Sequence, residues 1–194
     1  MNGRRVSSIH EKIGDQTQSV ILPKMIQQLW KSAGSPLLSC IIVPRGPGSF
    51  TALRVTLATA QGFALAFPAA TVFAPTSFDL LFYGVCLRDG PVLALIESGR
   101  GDYFGQLSSD RAPLILTDGD IEKMVTADPS LRLTSDVPLD FPFILPDRII
   151  TTCTNLAVDL LYLYREFGVT NDPDYHDLKP YYGRMPVYVQ SKKT

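Results

Sequence analysis

The sequence predicts an α/β protein whose first half is built around a mostly parallel sheet. Through the first 88 residues, short β-branched and apolar runs alternate with segments of helical periodicity. After Asp89 the pattern changes to closely spaced strands separated by turns that contain Gly or Pro. The chain has 194 residues, 45% hydrophobic and 19% charged, which is typical of a globular protein and excludes disordered, collagen-like and coiled-coil classes. The length and the change of pattern predict two lobes, residues 1–88 and 89–194.

An amphipathic helix is predicted after a polar opening segment. Residues 1–18 show only a weak apolar alternation, which predicts one short strand. In the helix, Pro23 lies in the first turn, where a missing N–H costs little, and Gly34 ends it. The apolar stripe of this helix recurs at helical spacing and consists of Leu22, Met25, Ile26, Leu29 and Trp30.

A strand and a second helix follow. The apolar run Leu37–Val43 is typical of a strand buried on both faces of a parallel sheet. Ser49 occupies the N-cap position of a helix that runs to about Ala66. The pattern then predicts a strand over Ala70–Phe73 and a helix over Ser77–Leu87.

The second lobe is predicted to open with a β-hairpin. Its strands, Val92–Glu97 and Asp102–Leu107, flank a turn at Gly99–Gly101. Helical periodicity predicts helices over about 118–126 and over 155–167. Short strands are expected near Leu131, over Pro142–Leu145 and around Val187.

The second helix has an unusual face made of small residues. Ala58, Gly62 and Ala66 repeat every four residues, so another element can approach this face closely. Two interpretations remain open. The face packs tightly on the parent sheet, or it is a docking surface for a helix of a partner chain.

Charge, cysteine content and hydropathy exclude several functional classes. Eighteen Lys and Arg against nineteen Asp and Glu give a net charge of −1, so there is no overall attraction to nucleic acid. Cys40, Cys86 and Cys153 are odd in number and widely spaced, as expected for reduced thiols of a cytosolic protein. No apolar run approaches the roughly 20 residues needed to span a bilayer. We therefore expect a cytoplasmic protein with no membrane contact.

The sequence lacks the marks of a catalytic centre. His10 and His176 are far apart and have no metal-ligand spacing, and Ser49 is not part of a nucleophile elbow. The loop Gly46–Ser49 precedes a helix N-terminus and suits either an anion site or a structural turn, but it lacks the lysine of a Walker motif. We therefore expect no catalytic residues, no metal and no cofactor, and a binding or scaffold role is favoured over an enzyme.

The segment Arg45–Arg54 closely resembles the signature of the TsaB (YeaZ) family, bacterial proteins of tRNA threonylcarbamoyladenosine biosynthesis. The family pattern is GxGPGSFTG[LV]R followed by a helix of small residues. Pro44 replaces the first glycine of the pattern, and Ala52 replaces the last. The matching motif residues are Gly46, Pro47, Gly48, Ser49, Phe50, Thr51 and Arg54.

Three further segments resemble this family in the same order along the chain. Leu22-Pro23 is similar to the LLP segment of the family, although Thr17 stands where a histidine is usual. The hairpin from Glu97 to Tyr103 resembles its DARxGExY hairpin, with Glu97 for the aspartate and Asp102 for the glutamate. The segment Lys179–Arg184 is similar to its EPxYLR motif.

The resemblance implies an actin-like, ribonuclease-H-like α/β fold with two lobes. Family members begin with two strands that would precede Met1, so the N-terminal lobe is expected to lack its first strands. TsaB-like proteins are non-catalytic paralogues of the transferase TsaD, in the glycoprotease-like superfamily.

The resemblance also implies the partners. A TsaB-like protein pairs with TsaD and, with the ATPase TsaE, supports threonylcarbamoylation of the adenosine beside the tRNA anticodon; it meets tRNA only through this complex. Self-association as a homodimer is expected in isolation. The alternatives are a glycoprotease-like metallopeptidase and a nucleotide-binding phosphotransferase of the actin-like superfamily. The partner-binding residues are expected to be Leu22, Met25, Ile26, Leu29, Ala58, Gly62 and Ala66.

Overall fold

The computed structural model describes residues 18–83, 85, 90–108, 112–151, 156–167 and 178–184. In chain order its elements are α1 (Gln18–Ser32), β1 (Cys40–Ile42), α2 (Phe50–Ala66), β2 (Thr71–Phe73), α3 (Ser77–Tyr83), β3 (Val92–Glu97), β4 (Tyr103–Leu107), β5 (Leu114–Leu116), α4 (Asp118–Ala127), β6 (Arg132–Ser135), a 3-10 turn (Pro146–Arg148), β7 (Ile149–Thr151) and α5 (Leu156–Phe167). The opening strand, the strand around Val187, and residues His10, Thr17, Cys86, Cys153 and His176 lie outside the described residues.

The strands within the described residues form two sheets. β1 and β2 pair in parallel, with Ile41 opposite Val72. The other five strands form a mixed sheet in the order β5-β4-β3-β6-β7, antiparallel from β5 to β3 and parallel from β3 to β7. This arrangement confirms the predicted α/β fold class.

Helix α1 begins earlier than predicted. Because it starts at Gln18, Pro23 lies in the second turn and not in the first, and the helix lacks one backbone hydrogen bond there. The end of the helix is as predicted. Gly34 adopts φ 81°, and the N–H of Ser35 donates to the carbonyl of Trp30 at 2.9 Å, which closes the helix with a left-handed glycine cap.

Strand β1 is shorter and less buried than expected. Only Cys40–Ile42 of the predicted run Leu37–Val43 are in the strand, and Leu37 is 90% exposed. The expectation of burial on both faces was wrong, because the three strand residues are each half-buried. Among the described residues β1 has one neighbouring strand, β2.

The second lobe agrees with the predicted hairpin and differs at its short strands. β3 and β4 pair antiparallel as expected, and the strand near Leu131 is β6. The predicted strand Pro142–Leu145 was wrong: this segment is a turn, closed by the Ile144 N–H on the Phe141 carbonyl at 3.3 Å. β5 and β7 were not predicted, since three residues carry too little alternation to be recognised.

Helix α2 ends at Ala66 as predicted, and α4 lies within a residue of the prediction. α4 starts with a capping box in which Thr117 and Asp120 exchange hydrogen bonds. α3 is described to Tyr83, and the rest of the predicted helix Ser77–Leu87 falls on residues of which only Val85 is described.

The buried residues form a core on each sheet and a connection between the two halves. The largest cluster packs β3, β6 and α4 around Leu93, Leu133 and Ile121. The C-terminal helix α5 returns to the first sheet, where Leu163 packs with Phe73. The division at residue 88 stays a prediction.

Candidate partner-binding site

One face of α2 is exposed along most of the helix. We call it the α2 outer face and define it by Arg54, Ala58, Gly62, Leu65 and Ala66, all exposed. Leu65 is 66% exposed, and a Cβ added at Gly62 would meet nothing within 4 Å. Ala58, Gly62 and Ala66 therefore do not pack on the parent sheet, so the first of the two interpretations was wrong. The docking interpretation stays a prediction.

The opposite side of α2 holds the helix against the first sheet. Its buried residues are Leu53, Leu57, Ala60 and Ala64, and three of them cluster with Val43 and Val72. At the start of the helix the Ser49 hydroxyl accepts a long hydrogen bond from the Ala52 N–H at 3.5 Å, so Ser49 is an N-cap as predicted.

Helix α1 lies against α2 beside this outer face. The four predicted partner-binding residues of α1 are each half-buried, and the Trp30 ring meets Phe67 edge-on at 5.9 Å. The apolar stripe thus packs in part against the rest of the chain, and the remaining part of its surface is accessible. The four residues are Leu22, Met25, Ile26 and Leu29.

The loop that leads into α2 is a packed structural turn. Gly46 is buried with φ 102°, and its carbonyl accepts the Ser77 N–H at 2.8 Å. The N–H of Arg45 donates to the Pro75 carbonyl at 2.9 Å. These contacts agree with the structural-turn interpretation of the loop Gly46–Ser49.

The C-terminal segment 178–184 packs directly on this loop. The Tyr181 N–H donates to the Arg45 carbonyl at 2.7 Å. A Cβ on Gly46 would lie 2.5 Å from the Tyr181 carbonyl oxygen, so only glycine lets the two backbones come this close. Gly183, with φ 66°, fits in the same way between Phe104 and Pro47.

The hairpin joins the same place through an ion pair. Arg184 Nη2 donates to Asp102 Oδ2, and the Ser98 hydroxyl donates to Asp102 Oδ1. The Ser98 hydrogen bond, followed by the Arg184 guanidinium, holds the pKa of Asp102 below its ordinary value. Both groups stabilise the charged carboxylate.

Three segments that are far apart in the sequence therefore meet in one place. We call this place the motif joint and define it by Gly46, Pro47, Asp102, Tyr181 and Arg184. Each of the three segments resembles a motif of the same family, but no local sequence pattern predicted that the segments contact one another.

Arg54 connects the motif joint to the α2 outer face. Its guanidinium carbon lies 3.9 Å from the centroid of the Phe50 ring, and its Nε donates to the Tyr182 hydroxyl at 3.1 Å. The Phe50 and Tyr182 rings are 4.9 Å apart. We call the contacts of Arg54 with Phe50 and Tyr182 the Arg54 clamp. The sequence placed Arg54 in the motif but did not predict this clamp.

The described residues contain no group of three or more His, Cys, Asp and Glu side chains placed to hold a metal ion. Nor does any helix within them have the length and apolar character to cross a membrane. Of the three cysteines, Cys40 lies within the described part of the chain, where it is free and half-buried.

These features define a two-sheet α/β protein with an exposed helix face and an interlocked set of motif segments. A model of the family described as "TsaD: tRNA N6-adenosine threonylcarbamoyltransferase" matches residues 9–111. Since the match covers more than half of the chain, the chain belongs to this family. No curated protein matches it significantly.

Two solved structures have the same fold. YeaZ from Pseudomonas aeruginosa superposes with a TM-score of 0.64 at 20% identity, over 94% of this chain and 91% of YeaZ. An uncharacterized protein with similarity to peptidase YEAZ from Pseudomonas aeruginosa superposes with a TM-score of 0.59 at 20% identity, over 84% of this chain and 82% of that one. The resemblance drawn from the motif is thereby confirmed at the level of family and fold.

Proposed function

We propose that the chain is a non-catalytic subunit that binds and activates a TsaD-like transferase in the threonylcarbamoylation of tRNA. Its membership of the TsaD family supports a role in tRNA modification, and its fold is that of YeaZ. A TsaE-like ATPase completes the assembly, and tRNA is met through the complex. The observation that carries the proposal is the exposure of the α2 outer face, a surface of small residues that a partner helix can approach closely.

The proposed binding surface combines two kinds of residue. Ala58, Gly62 and Ala66 let the backbone of a partner helix approach, while the accessible part of the α1 stripe and Leu65 offer apolar area. Fully buried apolar anchors supply most of the binding free energy at such interfaces. The same surface also offers itself to a second copy of the chain, so self-association is the competing event.

A pair of matched substitutions tests the docking surface. Gly62→Glu places a charge in the middle of the α2 outer face, and Gly119→Glu places the same charge on an exposed helical glycine of α4. A charge buried without a partner in an interface costs several kcal/mol, so Gly62→Glu is expected to weaken binding by at least about 100-fold.

The measurement is titration calorimetry with the TsaD-like protein of the same organism, supported by light-scattering chromatography. Circular dichroism establishes that both variants are folded. We expect Gly119→Glu to bind like the unmodified chain. Equal affinities for the two variants would show that the docking surface lies elsewhere.

A reconstituted modification assay tests the subunit role. Threonylcarbamoylation of tRNA is measured for the TsaD-like and TsaE-like proteins with and without this chain, and for this chain alone. We expect product only when the chain and the transferase are both present. Product from the chain alone would contradict a non-catalytic role.

A further inference from the structure

We infer that the partner helix presents a carboxylate to Arg54, and that this requirement selects a different, acidic partner over a second copy of this chain. The inference rests on the proposed docking through the α2 outer face and adds the chemistry of its partner. It depends on two observations, the fixed position of the Arg54 guanidinium and the absence of acidic residues from the two helices that form the surface.

Arg54 is held in place before any partner binds. The central carbon of the guanidinium lies over the Phe50 ring, and the Tyr182 hydroxyl accepts a hydrogen bond from Arg54 Nε. Within the described ranges no carboxylate pairs with Arg54, and the ion pairs there join Lys123 to Asp120 and Arg184 to Asp102. Its two terminal nitrogens are the pair that binds a carboxylate end-on. Fixing the side chain in advance lowers the entropy cost of making that contact.

The helices around Arg54 contain cations and no acids. α1 and α2 together carry Lys24, Lys31 and Arg54, all exposed, and neither helix contains an Asp or a Glu. If two copies of the chain met through these helices, each Arg54 would face apolar, uncharged polar or cationic side chains and no carboxylate. A carboxylate therefore has to come from the helices of a different chain.

The neighbours of Arg54 turn this requirement into selectivity. Ala58 lies one turn along the same face and Gly62 two turns along, so a partner helix that seats on them also removes water from the guanidinium. A desolvated arginine with no acceptor opposes binding, whereas one that meets a carboxylate gains a charge-assisted hydrogen bond. Specific interfaces commonly reject wrong partners through such unpaired charges.

A nucleic acid phosphate is a less suitable acceptor at this position. Proteins that bind the phosphate backbone neutralise several phosphates with a set of Lys and Arg residues. Arg54 is the only charged residue of α2, the rest of the outer face is apolar, and α1 adds only Lys24 and Lys31. This composition favours one carboxylate on a protein helix.

The test compares three variants by calorimetric titration with the TsaD-like transferase. Arg54→Ala is expected to raise Kd by about 10- to 100-fold, the effect of removing one charged hydrogen bond. Arg54→Lys keeps the positive charge but lacks the paired terminal nitrogens of the guanidinium. It is expected to raise Kd by less than Arg54→Ala does. Tyr182→Phe leaves Arg54 present but removes its anchor, and we expect a smaller loss of about 3- to 10-fold. Lys123→Glu on α4 is the control and is expected to bind normally.

The results separate this inference from the proposed function. Loss of binding in Gly62→Glu with normal binding in Arg54→Ala would overturn the inference while leaving the docking surface in place. Normal binding in Gly62→Glu would remove the docking surface itself. A wild-type chain that forms a stable dimer in light scattering, with Arg54→Ala leaving its affinity for the transferase unchanged, would also overturn the inference. So would an Arg54→Ala variant that loses affinity for tRNA but not for the transferase.

Discussion

Replacement of Gly46 by alanine tests the packing of the motif joint. Gly46 is buried with φ 102°, a backbone conformation that residues with a Cβ rarely adopt. The new methyl group would lie 2.5 Å from the Tyr181 carbonyl oxygen and 2.7 Å from Leu53 Cδ1. The Tyr181 backbone cannot easily retreat, because its N–H is bonded to the Arg45 carbonyl at 2.7 Å.

The expected cost has two parts. Placing a Cβ in the left-handed region costs about 1–2 kcal/mol. Forcing one extra carbon into a packed site costs about 1–3 kcal/mol more. Gly46→Ala should therefore lower the free energy of unfolding by about 2–5 kcal/mol. For a chain of this size each kcal/mol lowers Tm by roughly 2–4 °C, so the fall in Tm should be roughly 4–20 °C.

Two other glycines separate these contributions in the same assay, thermal unfolding followed by circular dichroism. Gly101 has φ 80° with open space around it, so Gly101→Ala carries the backbone strain alone. Gly48 has neither positive φ nor a neighbour within 4 Å, and Gly48→Ala should change the free energy of unfolding by less than about 0.5 kcal/mol. We expect the order Gly46→Ala, Gly101→Ala, Gly48→Ala in decreasing effect. A Gly46→Ala protein with the same Tm as Gly48→Ala would refute the reasoning.

Two further substitutions test the electrostatics and the capping. Because the pKa of Asp102 is lowered in the folded chain by Ser98 and Arg184, its carboxylate stabilises the fold above the unfolded pKa, and this contribution disappears as the pH falls through the folded pKa. The difference in urea midpoint between the unmodified chain and Asp102→Asn should thus be constant from about pH 7 to 5 and shrink below about pH 4; a difference that grows in acid would contradict this. Thr117→Ala removes the hydroxyl that accepts the Asp120 N–H at 3.3 Å and should cost about 1 kcal/mol, whereas Thr117→Ser should melt near the unmodified chain.

The helices were largely predictable because their signals are local. The Ser49 cap and the spacing of apolar residues gave α2 its limits, and the Thr117 capping box fixes the start of α4. The short strands were not predictable in the same way. β5 and β7 have three residues each, and their pairing depends on neighbours distant in the sequence.

The orientation of α2 shows where sequence reasoning reaches its limit. Ala60 and Ala64 are as small as Ala58, so composition alone does not say which small face meets the sheet. The larger Leu53 and Leu57 lie on the side of Ala60 and Ala64, and their burial turns Ala58 outward. The clamp on Arg54 was even less accessible to sequence reasoning, since Tyr182 lies 128 residues away.

The motif Gly46–Arg54 serves two purposes that the structure separates. Its first part, with Gly46 and Pro47 buried and Ser49 capping, fixes how α2 leaves the sheet. Its last part, Phe50 and Arg54, is exposed and contacts Tyr182, the chain neighbour of Tyr181 in the motif joint. The joint thus sets the direction of α2 and the position of its one charge together. A change in the buried part is expected to alter stability, and a change in the outward part to alter partner affinity, so Gly46→Ala and Arg54→Ala should differ in kind as well as in size.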